Sequence, residues 1–267
     1  MCAGFSTALS DDRQRERAGG DGTTRFGRRQ NAAQASGGSL TDIGGVRVGH
    51  FTDQRRPTGC TAILFDQPAI AGIDYDGSAP AESLAAMLQP VSPRGIAGMK
   101  GGVGSVSVRL GDVVVAALVV VNSAGDIVDW RRGEIVAGAR TADGRGFARS
   151  VDVLRRDLEK PSAMNASTGD GPLRATLLAV VGTNVALSKT ELTKLAMMAN
   201  TGAARAIDPY HTQGDGDQVI AVSSGRSNAS VSLTALGAVA AETVADAIVR
   251  AVRSAKGVAG WAAVSES

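Results

Sequence analysis

The stretch that decides the fold is VGSVSVRLGDVVVAALVVV, at positions 103–121. Its first half alternates apolar and small polar residues, which is typical of a half-buried strand. Its second half is apolar throughout, which is typical of a strand covered on both faces. Leu110-Gly111-Asp112 lies between the halves and has the composition of a tight turn, so we predict two strands joined as a hairpin.

Further apolar runs rich in β-branched residues flank this hairpin and predict more strands. These runs are 46–51, 61–66, 69–74, 176–184 and 217–225. Two helices are predicted in the second half of the chain. One begins at the capping box Ser188-Lys-Thr-Glu191 and continues to about Ile207, and the other is the Ala/Val-rich segment 231–256. Strands that pair locally and are followed by helices indicate a mixed α/β fold, with sheets sandwiched between helices.

Two polar regions interrupt this pattern. Residues 1–38 lack periodic apolar positions and are rich in Arg, Gly, Ser and Gln, so we predict a disordered tail followed by a single domain over 39–267. Parts of 131–157 have helical character, whereas PSAMNASTGDGPLRA, ending at Ala175, has the composition of an exposed flexible loop.

Charge and composition exclude several classes of function. The formal net charge is +2, and the tail alone, with six Arg against four acidic residues, accounts for it, so no basic surface for nucleic acid is expected. No apolar run is long enough to span a membrane and the N-terminus lacks the apolar core of a signal peptide, which predicts a cytoplasmic protein without membrane contact. The two cysteines have no metal-binding or disulfide pattern, and Cys60 is expected to be buried in a strand.

The junction between Ala175 and Thr176 is the most informative site for chemistry. A flexible loop ends there and a buried strand begins, so the peptide bond has freedom on one side and a rigid frame on the other. If that bond is cut, the new α-amino group of Thr176 has an intrinsic pKa near ~8 and can act as the base for its own hydroxyl. By itself, a threonine that begins a strand is more often structural.

Four other positions carry polar groups that could assist such a nucleophile. Asp215 and Asp217 flank a glycine and can point to one site if the backbone bends there, although a polar turn that enters a strand is the more common reason for such a pair. Asn122 ends an apolar strand, where its amide could donate to an oxyanion or form an Asx turn. Lys100 begins a glycine-rich segment that precedes a strand rather than a helix, so we expect its glycines to allow close backbone packing and not phosphate binding. His211 is the one neighbour that could support a metal at the Asp pair, and we predict no metal or cofactor.

Seven segments in this order resemble the L-aminopeptidase/D-esterase family, which includes β-peptidyl aminopeptidases and the nylon-oligomer endohydrolase. They are LTDIGGVRVGH (40–50), TGCTAILFD (58–66), GIDYDGSAP (72–80), MKGGVGSVSVRLGD (99–112), VVVNSAGDIVD (119–129), TLLAVVGTNVALSK (176–189) and ARAIDPYHTQGDGDQVIAVSSG (204–225). The resemblance implies a four-layer α/β/β/α sandwich of the N-terminal-nucleophile type, assembled as a homo-oligomer of processed α and β chains.

The same resemblance implies a role for each candidate residue. Thr176 falls at the nucleophile that self-cleavage liberates, Asn122 at the oxyanion-stabilising amide, and Lys100 at a lysine near the site. Asp215 and Asp217 fall where the family places residues that orient the nucleophile's amine. The implied substrates are peptides or amide-linked ω-amino-acid oligomers, cleaved through a threonine acyl-enzyme.

Two departures from the family pattern leave alternatives open. The segment 81–98 is too short to hold a strand and helix that the family usually has there, so one face of the sandwich is expected to be incomplete. The residue before the nucleophile is Ala175, where the family often has Asn. A degenerate homologue that serves as a binding or assembly subunit is therefore the second hypothesis, and an unrelated ligand-binding α/β domain is the third.

Overall fold

A computed structural model of the chain describes residues 38–53, 58–75, 90–91, 98–159, 175–212, 215–258 and 262–266. All of them fall within one compact unit, Gln34–Ser267. Three predicted regions lie largely outside the described residues. They are the tail except for Gly38, the loop 161–175 except for Ala175, and most of the segment 81–98.

Each strand and helix that the sequence predicts is present in the predicted order, and several short strands are present in addition. The strands are β1 (Val46–Asp53), β2 (Thr58–Phe65), β3 (Ile70–Tyr75), β4 (Pro90–Val91), β5 (Met99–Lys100), β6 (Gly102–Leu110), β7 (Val113–Asn122), β8 (Asp126–Asp129), β9 (Glu134–Ala137), β10 (Thr176–Val185), β11 (Ile207–Asp208) and β12 (Gln218–Ser227). The helices are α1 (Ser150–Glu159), α2 (Lys189–Ala206) and α3 (Leu233–Arg253), with short 3-10 turns at Leu40–Asp42 and Val264–Glu266. The capping box at Ser188 is present, and α2 starts directly after it.

A five-stranded sheet in the order β3-β12-β10-β7-β6 forms the centre of the molecule. The pair β10–β12 is parallel, and the other pairs in this sheet are antiparallel. The predicted hairpin is confirmed as β6 and β7, which pair from Gly102–Val121 to Leu110–Val113. β7 lies between β6 and β10 and is buried along most of its length, which explains why its sequence is apolar on both faces.

Different elements cover the two faces of this sheet. Helices α2 and α3 pack against each other and cover one face, and the core between helices and sheet is built from Val, Leu, Ile and Ala side chains. The hairpin β1–β2 and the turn at Leu40–Asp42 cover part of the other face, where Leu40 and Ile43 pack with Val114 and Leu118. The α/β class predicted from the sequence is confirmed, and three of the four predicted layers lie within the described residues.

The glycines after Lys100 allow the close backbone approach that the sequence predicted. A Cβ atom at Gly104 would lie 2.1 Å from the carbonyl oxygen of Ala247 in α3, and one at Gly102 would lie 2.3 Å from that of Ala251. Side chains at these two positions would therefore push α3 away from β6. Within the described ranges, none of the helices is long and apolar enough to cross a membrane.

This packing gives a testable prediction for stability. We expect Gly104→Ala to lower the free energy of unfolding by about 1–3 kcal/mol, because the added methyl group overpacks the contact with α3. Gly49→Ala is the matched control in β1, where a Cβ atom meets nothing within 4 Å, and it should change stability by less than ~0.5 kcal/mol. Urea denaturation of both variants measures the difference, and equal effects would contradict the packing argument.

Candidate active site

Thr176 and Asn122 face each other at one end of the central sheet. Thr176 begins β10, Asn122 ends β7, and the antiparallel register of the two strands pairs these two residues directly. Both are buried, with 8% and 3% of their surface exposed. The register follows from the apolar faces of the two strands, because a shift by one residue would turn every core side chain to the opposite face.

The carbonyl group of Ala175 accepts two hydrogen bonds at this position. The Thr176 hydroxyl donates to its oxygen over 2.6 Å, and the backbone N–H of Gly216 donates to the same oxygen over 3.0 Å. Residue Asp215 forms an isolated parallel bridge with Ala175, and this bridge brings the Gly216 amide into place. The peptide bond before Thr176 is thus polarised by a backbone donor and lies beside a hydroxyl group.

Asp215 is a buried carboxyl group next to this peptide bond. Its Oδ2 accepts hydrogen bonds from the backbone N–H of Thr212 at 2.8 Å and from the Thr212 hydroxyl at 2.6 Å. Burial raises the pKa of Asp215, and the nearby charge of Asp217 raises it further, while the hydrogen bonds from Thr212 and the Ala124 backbone act in the opposite direction.

The raised pKa of Asp215 gives a prediction for stability against pH. A folded-state pKa above the unfolded value means that the folded chain binds the proton more tightly, so this group stabilises the fold most below the unfolded pKa and less as pH rises through the folded pKa. Asp215→Asn cannot ionise, so its stability relative to the wild type should improve as pH is raised from about 4 toward 7. Denaturant unfolding of both proteins across this range measures the trend, and a constant difference would contradict it.

Asp217 is the second buried carboxylate of the site, with 1% of its surface exposed. Its Oδ1 accepts a hydrogen bond of 2.6 Å from the backbone N–H of Leu177, the residue after Thr176. Its Oδ2 makes no aligned hydrogen bond within the described residues, and His211 Nδ1 lies 3.3 Å away. Asp217 therefore lies against the first residues of β10, with one carboxylate oxygen fixed by the strand backbone.

The sequence did not predict a role for His211 beyond that of a metal neighbour. In the described parts of the chain, no group of three or more His, Cys, Asp or Glu side chains is placed to hold a metal ion. The position of His211, four residues before Asp215 in the sequence, was the available signal, but its contact with Asp217 depends on the fold of the intervening turn.

Lys100 lies at the same end of the sheet but is not joined to Thr176 by any hydrogen bond in the described part of the structure. Gly102, two residues later, pairs with Val121, the neighbour of Asn122. The Lys100 side chain is buried, its Nζ donates to the carbonyl of Gly101 over 2.9 Å, and burial lowers its pKa. A lysine with a lowered pKa loses its proton, and with it its positive charge, at a lower pH than a lysine in solvent.

A cavity of about 440 Å³ lies between the sheet and the hairpin β1–β2. Its lining includes Val120 and Leu178, which lie two residues from Asn122 and Thr176 on the same strands. Because side chains alternate along a strand, the cavity is on the face of the sheet to which Thr176 and Asn122 point. Its walls are largely apolar, with polar groups such as His50 and Thr61 contributed by the hairpin.

Cys60 is exposed, and its predicted burial is wrong. Cys60 alternates with Thr61 and Ile63, which face the cavity, so its side chain lies on the outer face of β2 together with that of Leu64, which is 55% exposed. Within the described residues, β2 pairs with β1 in a two-stranded sheet, and this outer face is open to solvent. The error has a physical cause: a strand-like sequence predicts a strand but not whether another layer covers it.

Comparison with known proteins places this chain in a family of peptidases. Residues 95–265 match peptidase family S58, and the chain belongs to this family. The family resemblance read from the sequence is thereby confirmed.

Two curated relatives are similar to this chain over 161 and 182 residues. The chain is 36% identical over 161 residues to the 6-aminohexanoate-oligomer endohydrolase of Paenarthrobacter ureafaciens, a match that covers 56% of this chain and 44% of the enzyme. It is 32% identical over 182 residues to an uncharacterized aminopeptidase of Mycobacterium leprae, covering 61% of this chain and 47% of that protein. The chain thus spans about half the length of the curated relatives that it matches.

The fold is also found in a solved structure. A beta-aminopeptidase from a Burkholderia species superimposes with a TM-score of 0.51 at 19% sequence identity, covering 80% of this chain and 86% of that one. Since the identity is low, this likeness concerns the fold, and it agrees with the layered α/β arrangement described above.

Proposed function

We propose that this chain is a self-processing amide-bond hydrolase in which Thr176 is the nucleophile. The observation that carries the proposal is the geometry at Ala175, whose carbonyl oxygen accepts hydrogen bonds from the Thr176 hydroxyl and the Gly216 amide. Membership of a peptidase family supports the same reaction class. Cleavage before Thr176 would liberate the amino group that the hydrolysis of substrate then requires.

Self-cleavage begins with attack of Thr176 Oγ on the carbonyl carbon of Ala175. The tetrahedral oxyanion forms on the oxygen that already faces the Gly216 N–H, so this backbone donor stabilises the developing charge. The C–N bond then breaks and the Thr176 nitrogen takes up the hydroxyl proton, which leaves an ester between residues 175 and 176. Water hydrolyses this ester, and Thr176 becomes the first residue of a new chain.

The liberated amino group of Thr176 is the general base for substrate turnover. Its intrinsic pKa is near ~8, and the neighbouring charges decide how far it shifts. Asp217 lies against the backbone of the next residue, and Asp215 lies beside Ala175, so both carboxyl groups are close to the amine. We propose that the two carboxyl groups orient this amine. Lys100 is the proposed nearby cation that disfavours protonation of the amine.

Asn122 is the proposed oxyanion donor for the substrate. It is the direct cross-strand partner of Thr176, and its side chain points to the same face of the sheet. In this reaction Thr176 Oγ attacks the substrate carbonyl, the leaving amine takes a proton from the Thr176 ammonium, and water hydrolyses the acyl-enzyme.

Peptides and oligomers of ω-amino acids are the proposed substrates. One relative is named a 6-aminohexanoate-oligomer endohydrolase and another an uncharacterized aminopeptidase, and both names refer to hydrolysis of amide bonds. The cavity on the Thr176 face of the sheet is lined mainly by apolar groups such as Val120 and Leu178. An aliphatic chain of methylene groups would bury apolar surface there.

Mass spectrometry of the purified full chain tests the proposal. We expect two fragments, the second of which begins Thr-Leu-Leu, and amide hydrolysis measured with 6-aminohexanoate oligomers and aminoacyl p-nitroanilides. An uncut chain that hydrolyses neither substrate under any condition would contradict the proposal.

A second candidate function is a binding or assembly subunit that is never cut. The feature in its favour is the segment 81–98, which is too short to hold the strand and helix that the family resemblance implies there. An uncut, folded chain with a defined oligomeric state in analytical ultracentrifugation would favour this alternative. The homo-oligomer of processed chains and the cytoplasmic location expected from the sequence stay predictions.

A further inference from the structure

A chain of polar contacts leads from the edge strand β3 to Asp217. Asn200 of α2 donates from Nδ2 to Asp74 Oδ2 over 2.8 Å, and the same Nδ2 lies 3.1 Å from His211 Nε2. The Tyr210 hydroxyl donates to Asn200 Oδ1 over 2.6 Å. His211 Nδ1 then lies 3.3 Å from Asp217 Oδ2, on the other side of the ring.

These contacts determine which ring nitrogen of His211 carries the proton. The Asp74 carboxylate can only accept, so it requires the amide nitrogen of Asn200 on its side and fixes the orientation of that amide. An amide NH₂ group can only donate, so His211 Nε2 must accept and cannot carry a proton. The neutral ring therefore has its proton on Nδ1, the ring nitrogen that lies 3.3 Å from Asp217 Oδ2.

We propose that His211 is a positioning residue. Asn200 holds its ring as the Nδ1–H tautomer, and this Nδ1–H donates to Asp217 Oδ2 and fixes the carboxylate. The other oxygen of Asp217 is held by the Leu177 backbone N–H, so the two donors together fix its position against the start of β10. This inference rests on the proposed function, in which Asp217 orients the amino group of Thr176. His211 acts through Asp217 and touches no reacting atom.

The backbone at His211 narrows the choice of test variants. Its φ of 55° lies in the left-handed region, where Asn and Asp are tolerated better than most other side chains. His211→Asn places an amide N–H where Nδ1 was, whereas His211→Asp has nearly the same size and backbone tolerance but puts there a carboxylate, which cannot donate to Asp217 and repels it when ionised. Both variants lose the packing of the ring, and only His211→Asn keeps a donor to Asp217, so a difference between them reports on the donor.

Nitrogen NMR of the purified chain tests the tautomer without any measurement of activity. The chain has two histidines, and His50→Gln leaves the His211 signals alone in a long-range proton–nitrogen spectrum. We expect a protonated Nδ1 and a bare Nε2, and conversion to a ring that is protonated at Nε2 in Asn200→Asp. An Nε2–H tautomer in the wild type would overturn the inference and leave the proposed function intact.

Kinetics test the consequence for Asp217. We expect His211→Asp to slow self-cleavage and kcat by about 10- to 100-fold, the loss that follows removal of one hydrogen bond to a charged group. His211→Asn should retain most of the rate, and KM should change little in either variant. Equal rates in the two variants, whether both normal or both reduced, would overturn the positioning role. An uncut and inactive wild type that shows the expected tautomer would instead count against the proposed function alone.

Discussion

Replacing Thr176 with alanine is expected to leave the chain uncut and to remove amide hydrolysis altogether. The hydroxyl is the proposed attacking group in both reactions, and loss of a nucleophile lowers kcat on the order of 10⁴-fold or more. The fold should persist, since the described hydrogen bond of this hydroxyl is to the carbonyl of the adjacent Ala175. Intact-mass measurement after long incubation, together with an assay on 6-aminohexanoate oligomers, gives both readouts.

Thr176→Ser is the matched control because it keeps the hydroxyl group and removes only a methyl group. It should still be cut before residue 176, and it should retain measurable hydrolysis. If Thr176→Ala were cut at the same place, or kept the wild-type activity, Thr176 could not be the nucleophile.

Replacing Asn122 with alanine is expected to have the second largest effect. Removal of one preorganised oxyanion donor costs about 10²–10³-fold in kcat, and KM should change much less because the donor acts on the transition state. Self-cleavage should be slowed less than substrate turnover, because the oxygen of Ala175 is already bound by the Gly216 N–H.

Asn184, at the far end of β10, provides a control within the same strand. Its Nδ2 donates to the carbonyl of Asp112 over 2.7 Å, and its Oδ1 accepts from the backbone N–H of Val114 over 2.8 Å. Asn184→Ala should therefore lower stability by about 1–2 kcal/mol and leave kcat unchanged. A similar loss of kcat in both variants would show that the effect of Asn122→Ala is structural.

The strands and helices were largely predictable because their signals are local. The alternation in β6, the apolar run in β7 and the capping box at Ser188 each specify one element with little help from the rest of the chain. The cross-strand pairing of Thr176 with Asn122 was not predicted, because the family resemblance implied a role for each residue but not that their strands are neighbours.

The exposure of the outer face of the β1–β2 hairpin was not predictable in the same way. Cys60 was expected to be buried because its strand has a buried-type sequence, yet in the described part of the chain β2 pairs with β1 in a two-stranded sheet, and Cys60 is exposed on the outer face of that sheet, as Leu64 is. Whether a strand is covered depends on residues far away in the sequence, and a local pattern carries no information about them.

By itself, then, the sequence determined the order of elements, the central hairpin, the position of Thr176 at the head of a buried strand and the identity of the polar residues that could serve it. Only the tertiary structure decided that the Gly216 amide faces the carbonyl of Ala175 and that His211 lies between Asn200 and Asp217. The physical reason is that a backbone N–H has no sequence signature and that the proton on a histidine ring is set by its neighbours in space. The sequence thus predicts the position of Thr176, and the fold places the hydrogen-bond donors around it.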